Sequence, residues 1–377
     1  MHRFLAAGLL VFISPTLVGF MSTAVALQEP TDERTQAAPA RPLDHGMLRS
    51  VYFDLLGRPP FRAEIELWLG KGLRELLDEL IGSREHWSAW QEQQLFHFLL
   101  IDNFSPRSER VLDLPEALTS ERLDVREAIH QICLCSSFEL RNPGADTFVT
   151  VVLEQLTGMV VQSNVRELEI GKTIYDGGEG LFLGRQGKTQ SDVVRIAIES
   201  KEFSREFLQR EYRRLLRVEP PRKGFASSIR SFHKDPATYS QLLREWTLSA
   251  EYGQRLTQRV GMPNRLFVKT LFVDLLNRLP TAKEGEPLRE ALDGLSDSGP
   301  LRSIVARLLL DSDLVKLPSR DEIEDRGAWI KGLFLRLMGR ACTAAELATF
   351  SEAFADPACR TETVVYAIIS HTDYQTF

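Results

Sequence analysis

Apolar residues return along the chain in a fixed rhythm. Leu48, Val51, Tyr52, Leu55 and Leu56 stand at offsets i, i+3, i+4, i+7 and i+8, the spacing of one face of an α-helix. The same offsets recur at Val149, Val152, Leu153, Leu156 and Thr157, and again at Leu208, Glu211, Tyr212, Leu215 and Leu216. They return at Val268, Leu271, Phe272, Leu275 and Leu276, and at Ile330, Leu333, Phe334, Leu337 and Met338. The closing positions 56, 157, 216, 276 and 338 are separated by 101, 59, 60 and 62 residues, so the first interval is the longest. Gly57, Gly158, Arg217, Asn277 or Gly339 follows, mostly Gly or Asn, which end helices in the left-handed conformation. Pro59, Pro60, Pro220, Pro221 and Pro280 then block continuation.

A second stripe closes each segment. Leu76, Leu77, Leu80 and Ile81 stand 7, 6, 3 and 2 residues before Ser83, and Val193, Val194, Ala197 and Ile198 keep those offsets before Ser200. So do Leu242, Leu243, Trp246 and Thr247 before Ser249, Ile304, Val305, Leu308 and Leu309 before Asp311, and Val364, Val365, Ile368 and Ile369 before His371. Two residues past each marker comes an acid: Glu85, Glu202, Glu251, Asp313 and Asp373. Such a pairing predicts a helix start, with the marker capping free N–H groups and the acid facing the positive end of the helix dipole. Between the stripes lies a variable middle helix, exemplified by the capping box Thr343–Glu346.

Each segment thus holds about three helices, too few to bury their own faces, so neighbours must stack. No stretch alternates with period two. The expected fold is all-α, five stacked helical repeat units in an irregular array. Their expected bounds are 43–145 with extra helices, 146–207 with a glycine-rich insertion, 208–262, 263–324 and 325–377.

Residues 1–26 read differently. His2 and Arg3 precede an apolar stretch from Phe4 to Val18, and Ala24-Val25-Ala26 forms a small-x-small cleavage pattern. That is the signature of a secretory signal, which places the chain in the periplasm, at the cell surface or outside the cell. Residues 27–42 are expected to form a disordered tether, and no membrane span is expected once the signal is removed. Of the four cysteines, Cys342 and Cys359 flank a helical stretch at 343–355 whose length, roughly 20 Å, exceeds the ~7 Å reach of a disulfide. The remaining pairings stay open.

Composition narrows the function classes. With 46 Lys and Arg against 52 Asp and Glu, the net charge of −6 gives no general attraction to nucleic acid or anionic lipid, so no nucleic-acid partner is expected. The 43% apolar and 26% charged residues belong to a folded globular chain.

The run Val51-Tyr52-Phe53-Asp54-Leu55-Leu56-Gly57-Arg58-Pro59-Pro60, continued by Leu76 to Ser83 and by Trp87 and Trp90, resembles the N-terminal domain of a secreted family of unknown function. That family is abundant in planctomycete-type bacteria and often sits beside, or is fused to, cytochrome c modules. Leu333 to Arg340 and Ser249-Ala250-Glu251-Tyr252 resemble a bacterial extracellular helical repeat of unknown function, itself similar to phycobilisome linker domains. Neither resemblance implies a catalytic residue. The haem-attachment pattern Cys-x-x-Cys-His does not occur.

Candidate chemistry is sparse. The glycine-rich insertion Asp176 to Thr189 superficially suggests a phosphate loop, but Phe182 stands where the first P-loop glycine must be. Its charged residues Asp176, Glu179, Arg185 and Lys188 are the expected interaction surface, on a long loop that interrupts the repeat. His130, Cys133 and Cys135 suggest a metal site, yet helical geometry points position 135 away from the other two, so buried core cysteines are expected and no metal. Trp87, Trp90, Phe96 and Phe98 read as a core stripe, and no hydrolase motif occurs. The expected function is therefore a secreted, non-enzymatic helical-repeat scaffold or interaction protein of the bacterial cell envelope. It needs no cofactor and takes an envelope protein as partner. The alternative is an accessory subunit of an envelope redox or hydrolytic complex.

Overall fold

In the computed structural model, residues 42–99 and 109–377 are described. The expected signal, and all of the tether but Pro42, lie outside them. The aligned stripes become helix faces as the spacing predicts: His45–Leu56, Lys201–Leu216, Asn264–Leu276 and Arg326–Met338 are α-helices, and Gly144–Val151 passes into a single π turn at Val152–Leu156. Of these stripe residues all are buried except Leu276, which is half-buried. Gly57, Arg217, Asn277 and Gly339 adopt the left-handed conformation, and each returns its N–H to the carbonyl four residues earlier. The capping serines also fall where expected, Ser200 accepting from the Phe203 N–H and Ser249 from that of Tyr252.

Two polar residues in the stripes are buried without being orphaned. Thr157 returns its hydroxyl to the Leu153 carbonyl. Glu211 receives the Tyr239 hydroxyl at 2.7 Å, Arg214 Nε at 3.0 Å and Gln94 Nε2 at 3.1 Å. Burial opposes its ionisation, but Arg214, Arg210 and these donors hold its carboxyl below the usual range.

The fold is all-α, with twenty-one α-helices among the described residues. One departure is the antiparallel hairpin Gly180–Phe182 with Arg185–Gly187, in place of the long loop expected there.

The first interval is long because it hides another copy of the stripe. Gln91, Gln94, Leu95, Phe98 and Leu99 repeat the five offsets on the helix Arg84–Leu99, and all are buried. Ala128, Ile129, Ile132 and Cys133 then repeat the second stripe before Cys135, fully buried on Val125–Cys133. Two glutamines on the first face, and a Cys without a following acid as the marker, masked the pattern.

A second correction concerns the marker at 311. Ile304 and Leu308 are 54% and 65% exposed, whereas Val305, Ala306 and Leu310 are buried. The stripe on Gly299–Leu310 is therefore counted from Ser312, one residue later. Ser312 Oγ donates to the Leu309 carbonyl at 2.6 Å, as Ser83 does to Leu80 and Ser249 to Trp246, each at 2.7 Å. Counted so, Leu314 rather than an acid stands two residues on.

Second-stripe helices pack in pairs, two of successive helices and one that encloses another pair in the chain. Leu73–Ile81 packs on Thr238–Thr247, Val125–Cys133 on Gln190–Ile198, and Gly299–Leu310 on Thr361–Ile369. Each pair presses two apolar faces together, removing side chains from water at about 1.5–3 kcal/mol apiece. The buried residues form two clusters, one drawn from Leu43 through Tyr252 and one from Met262 through Tyr374 with Phe53. Between them, Arg49 clamps Asp274 at 2.7 and 3.0 Å, and Glu92 receives Arg265 and Lys269. Here Gly46 lies so close to Gly339 that a Cβ on it would stand 2.7 Å from the Gly339 carbonyl oxygen.

Candidate functional site

One side of the insertion packs down, while Leu181, 54% exposed, and the charged residues Asp176, Glu179, Arg185 and Lys188 stay exposed. Phe182 is fully buried, and Gly180 and Gly187 lie against Ile174, where a Cβ on either would come within 3.3 Å of that side chain. Close approach, not loop mobility, explains those glycines. The four expected binding residues do not converge: Lys188 pairs with Glu179 at 3.2 Å, Arg185 pairs with Glu199, and Asp176 closes the helix Val165–Tyr175.

Cys133 and Cys135 are buried, and burial pushes both thiols up, so neither is a ready thiolate. All four cysteines are unpaired. No group of three or more His, Cys, Asp or Glu among the described residues is disposed to hold a metal ion. Trp87, Trp90 and Phe98 belong to the core, whereas Phe96 is 46% exposed.

His130 does stand in a chemically suggestive place, which the sequence reading missed because its neighbours are 61 and 65 residues away. It borders an open cavity of about 630 Å³ together with Glu127, Cys135, Ser191 and Arg195. Ser191 Oγ is 3.3 Å from His130 Nε2, and Glu127 is 3.5 Å from Nδ1, the order hydroxyl, imidazole, carboxylate of a hydrolytic triad. Arg195 changes its meaning. Its guanidinium, which has only donors, is 3.2 Å from Nδ1 and also grips Glu127 through both nitrogens. With Arg195 donating to it, Nδ1 accepts and the ring proton lies on Nε2 toward Ser191; with Nδ1–H donating to Glu127 instead, Nε2 faces the serine hydroxyl as acceptor, so the ring's role follows its tautomer. Burial and Arg195 together push His130 below its ordinary value, keeping it neutral. The cluster clasps Val125–Cys133 to Gln190–Ile198.

A built feature recurs three times elsewhere. Arg58, Arg278 and Arg340 each follow the left-handed residue that ends a helix. Each donates Nη1 and Nη2 to the glutamate six residues on, Glu64, Glu284 or Glu346, at 2.7–2.9 Å, and Nη1 also to the next residue's carbonyl at 3.0–3.1 Å. The glutamate in turn accepts the N–H of Phe61, Thr281 or Thr343. The arginine bonds and those N–H groups hold the Glu284 and Glu346 carboxyls down at about 2. Arg58 and Arg340 then use the opposite guanidinium edge, Nε with Nη2, for a second carboxylate: Glu85 at 2.5 and 2.8 Å, and Asp373 at 2.9 and 2.7 Å. The acids expected only to face a helix dipole thus have a named cation at two of five places. The pattern Gly/Asn-Arg followed six residues later by Glu was legible at 57–64, 277–284 and 339–346 and is the signal that would have found the clamp.

The chain matches no protein-family model, no curated protein and no solved structure. The resemblances drawn from Val51–Pro60 and from Leu333–Arg340 therefore stay expectations.

Proposed function

We propose that this chain is a non-enzymatic helical-repeat scaffold of the bacterial cell envelope, exported by its N-terminal segment and built to hold a protein partner. On this reading the chain carries six repeated units rather than five, the sixth being the stretch that ends its first stripe at Leu99. The observation that carries the reading is the clamp repeated at Arg58, Arg278 and Arg340 with one hydrogen-bond pattern. What recurs along the described residues is packing, capping and internal charge pairing, and in the Ser191–His130–Glu127 cluster Arg195 holds Glu127 and stands at His130 Nδ1. No described helix is long and apolar enough to cross a membrane, which is compatible with export.

Fractionation of the source cells and affinity purification from envelope extract test the reading together. The chain should be found in the envelope or outside the cell, starting after Ala26, with a stoichiometric protein partner. A cytoplasmic chain that retains residues 1–26, or a purified chain that turns over a substrate through Ser191, would overturn it.

A further inference from the structure

The three clamps differ at one edge. In Arg58 and Arg340 the Nε–Nη2 edge is filled by Glu85 and Asp373, each from the first turn of the helix that follows the second stripe. In Arg278 that edge has no acceptor among the described residues, although its other edge is fixed on Glu284 and its guanidinium lies over the Phe272 ring at 5.5 Å. The side chain is accordingly 42% exposed, against 2% for Arg58 and 25% for Arg340. The cause is the register of the preceding section: counted from Ser312, the position of Glu85 and Asp373 belongs to Leu314, itself 56% exposed.

The same unit carries a second anomaly. Ile304 and Leu308 stand eight and four residues before Ser312 and face solvent. At those offsets before Ser83 and Ser249 the chain has Glu75 and Glu79, and Gln241 and Glu245, all exposed. An apolar pair has replaced polar residues on the outer face of the one unit whose clamp lacks its internal acid.

We propose that the Nε–Nη2 edge of Arg278 receives an Asp or Glu from the first turn of a partner protein's helix, as Arg58 and Arg340 receive Glu85 and Asp373 within the chain. A planar guanidinium already fixed along one edge offers two parallel donors on the other, the geometry that selects a carboxylate bidentately. Ile304 and Leu308, exposed on the second-stripe helix of the same unit, offer a partner apolar contact as well. This inference rests on the scaffold reading and specifies the partner's chemistry.

The probe is a fluorescein-labelled peptide of residues 82–96 of this chain, which carries Glu85 at such a helix start, titrated with the full chain and read by anisotropy. Binding should fall at least tenfold with Glu85→Gln in the peptide or Arg278→Gln in the protein, and should weaken steeply with salt. Arg278→Lys, which keeps the charge but not the fork, should recover only part of it. A thermal melt of Arg278→Gln that overlays the wild type establishes that the fold is intact. Equal binding by Arg278→Gln, or no binding by the wild type, overturns the proposal. So does an Arg278 Nε–H resonance that acetate shifts at the same concentration as the peptide, since the edge would then be a small-carboxylate site. A stoichiometric partner that stays bound to Arg278→Gln overturns this inference alone, whereas a chain with no partner overturns the scaffold reading as well.

Discussion

Arg58 and Arg278 are the same residue in two settings, and their difference fixes what substitution should do. Arg58 is 2% exposed and bound by two carboxylates, so Arg58→Gln leaves Glu64 and Glu85 facing each other without a cation and should cost about 2–3 kcal/mol in urea unfolding. Arg278→Gln breaks an exposed pair and should cost about 0–1 kcal/mol. Equal losses would mean that the second acid adds nothing. His86 gives a pH dependence. Burial pushes its imidazole down to about 4, while Nδ1 bonds the Leu55 carbonyl at 3.1 Å, so the folded chain keeps it neutral where the unfolded chain protonates it. Its contribution is complete above the unfolded value near 6.5 and is lost as pH falls toward 4, about 3 kcal/mol at about 1.4 kcal/mol per unit. His97, also held down at about 4 by burial and Arg210, adds to the same slope. Urea midpoints between pH 7 and 4.5 should drop, and His86→Phe should flatten that drop; an unchanged slope would remove His86 from the account. The enclosure of His86 was not legible in the sequence, because a histidine beside an acid looks the same whether it is solvated or enclosed.

At the scale of the element the sequence was more informative, and its failures have local causes. Helix faces and ends were readable because apolar spacing and left-handed caps are short-range properties. The segment ending at Leu99 was not, because Gln91 and Gln94 are buried by partners elsewhere in the chain: Gln91 by the Val111 carbonyl, Gln94 by Glu211 and Arg210. On Gly299–Leu310, two registers one residue apart are both apolar, so spacing alone could not choose between Asp311 and Ser312. The structure's choice predicts an asymmetry. Ile304→Glu with Leu308→Glu should leave stability within about 0.5 kcal/mol, as exposed substitutions do. Leu310→Ala, at a position 3% exposed, should cost about 2–5 kcal/mol. Chemical denaturation of the two variants decides the register, and the opposite order would restore Asp311 as the marker. The insertion misled for another reason: its glycines read as loop freedom, whereas two of them are there to let a hairpin lie on Ile174.

For the whole molecule, the question is why two buried clusters behave as one body. The described residues form one compact unit, and the junction carries a buried ion pair, Arg49 with Asp274, beside the Phe53 side chain that joins the second cluster. Arg49, carried on the helix His45–Leu56 that supplies Leu48, Val51 and Tyr52 to the first cluster, also lies over the Phe53 and Tyr374 rings of the second at 5.0 and 5.9 Å. Gly46→Val forces the backbone at Gly339 to move and should separate the two clusters. Calorimetry should then show two transitions where the wild type shows one; a single transition for the variant would mean that the junction does not couple them. On the proposed scaffold reading, a body held together in this way keeps Arg278 in a fixed position for a partner. Native mass spectrometry of the chain purified from its source, as wild type and as Arg278→Gln, tests that claim most directly. The account predicts a stoichiometric protein complex for the wild type and a free chain for the variant; a wild-type chain that is alone under the same conditions would contradict it.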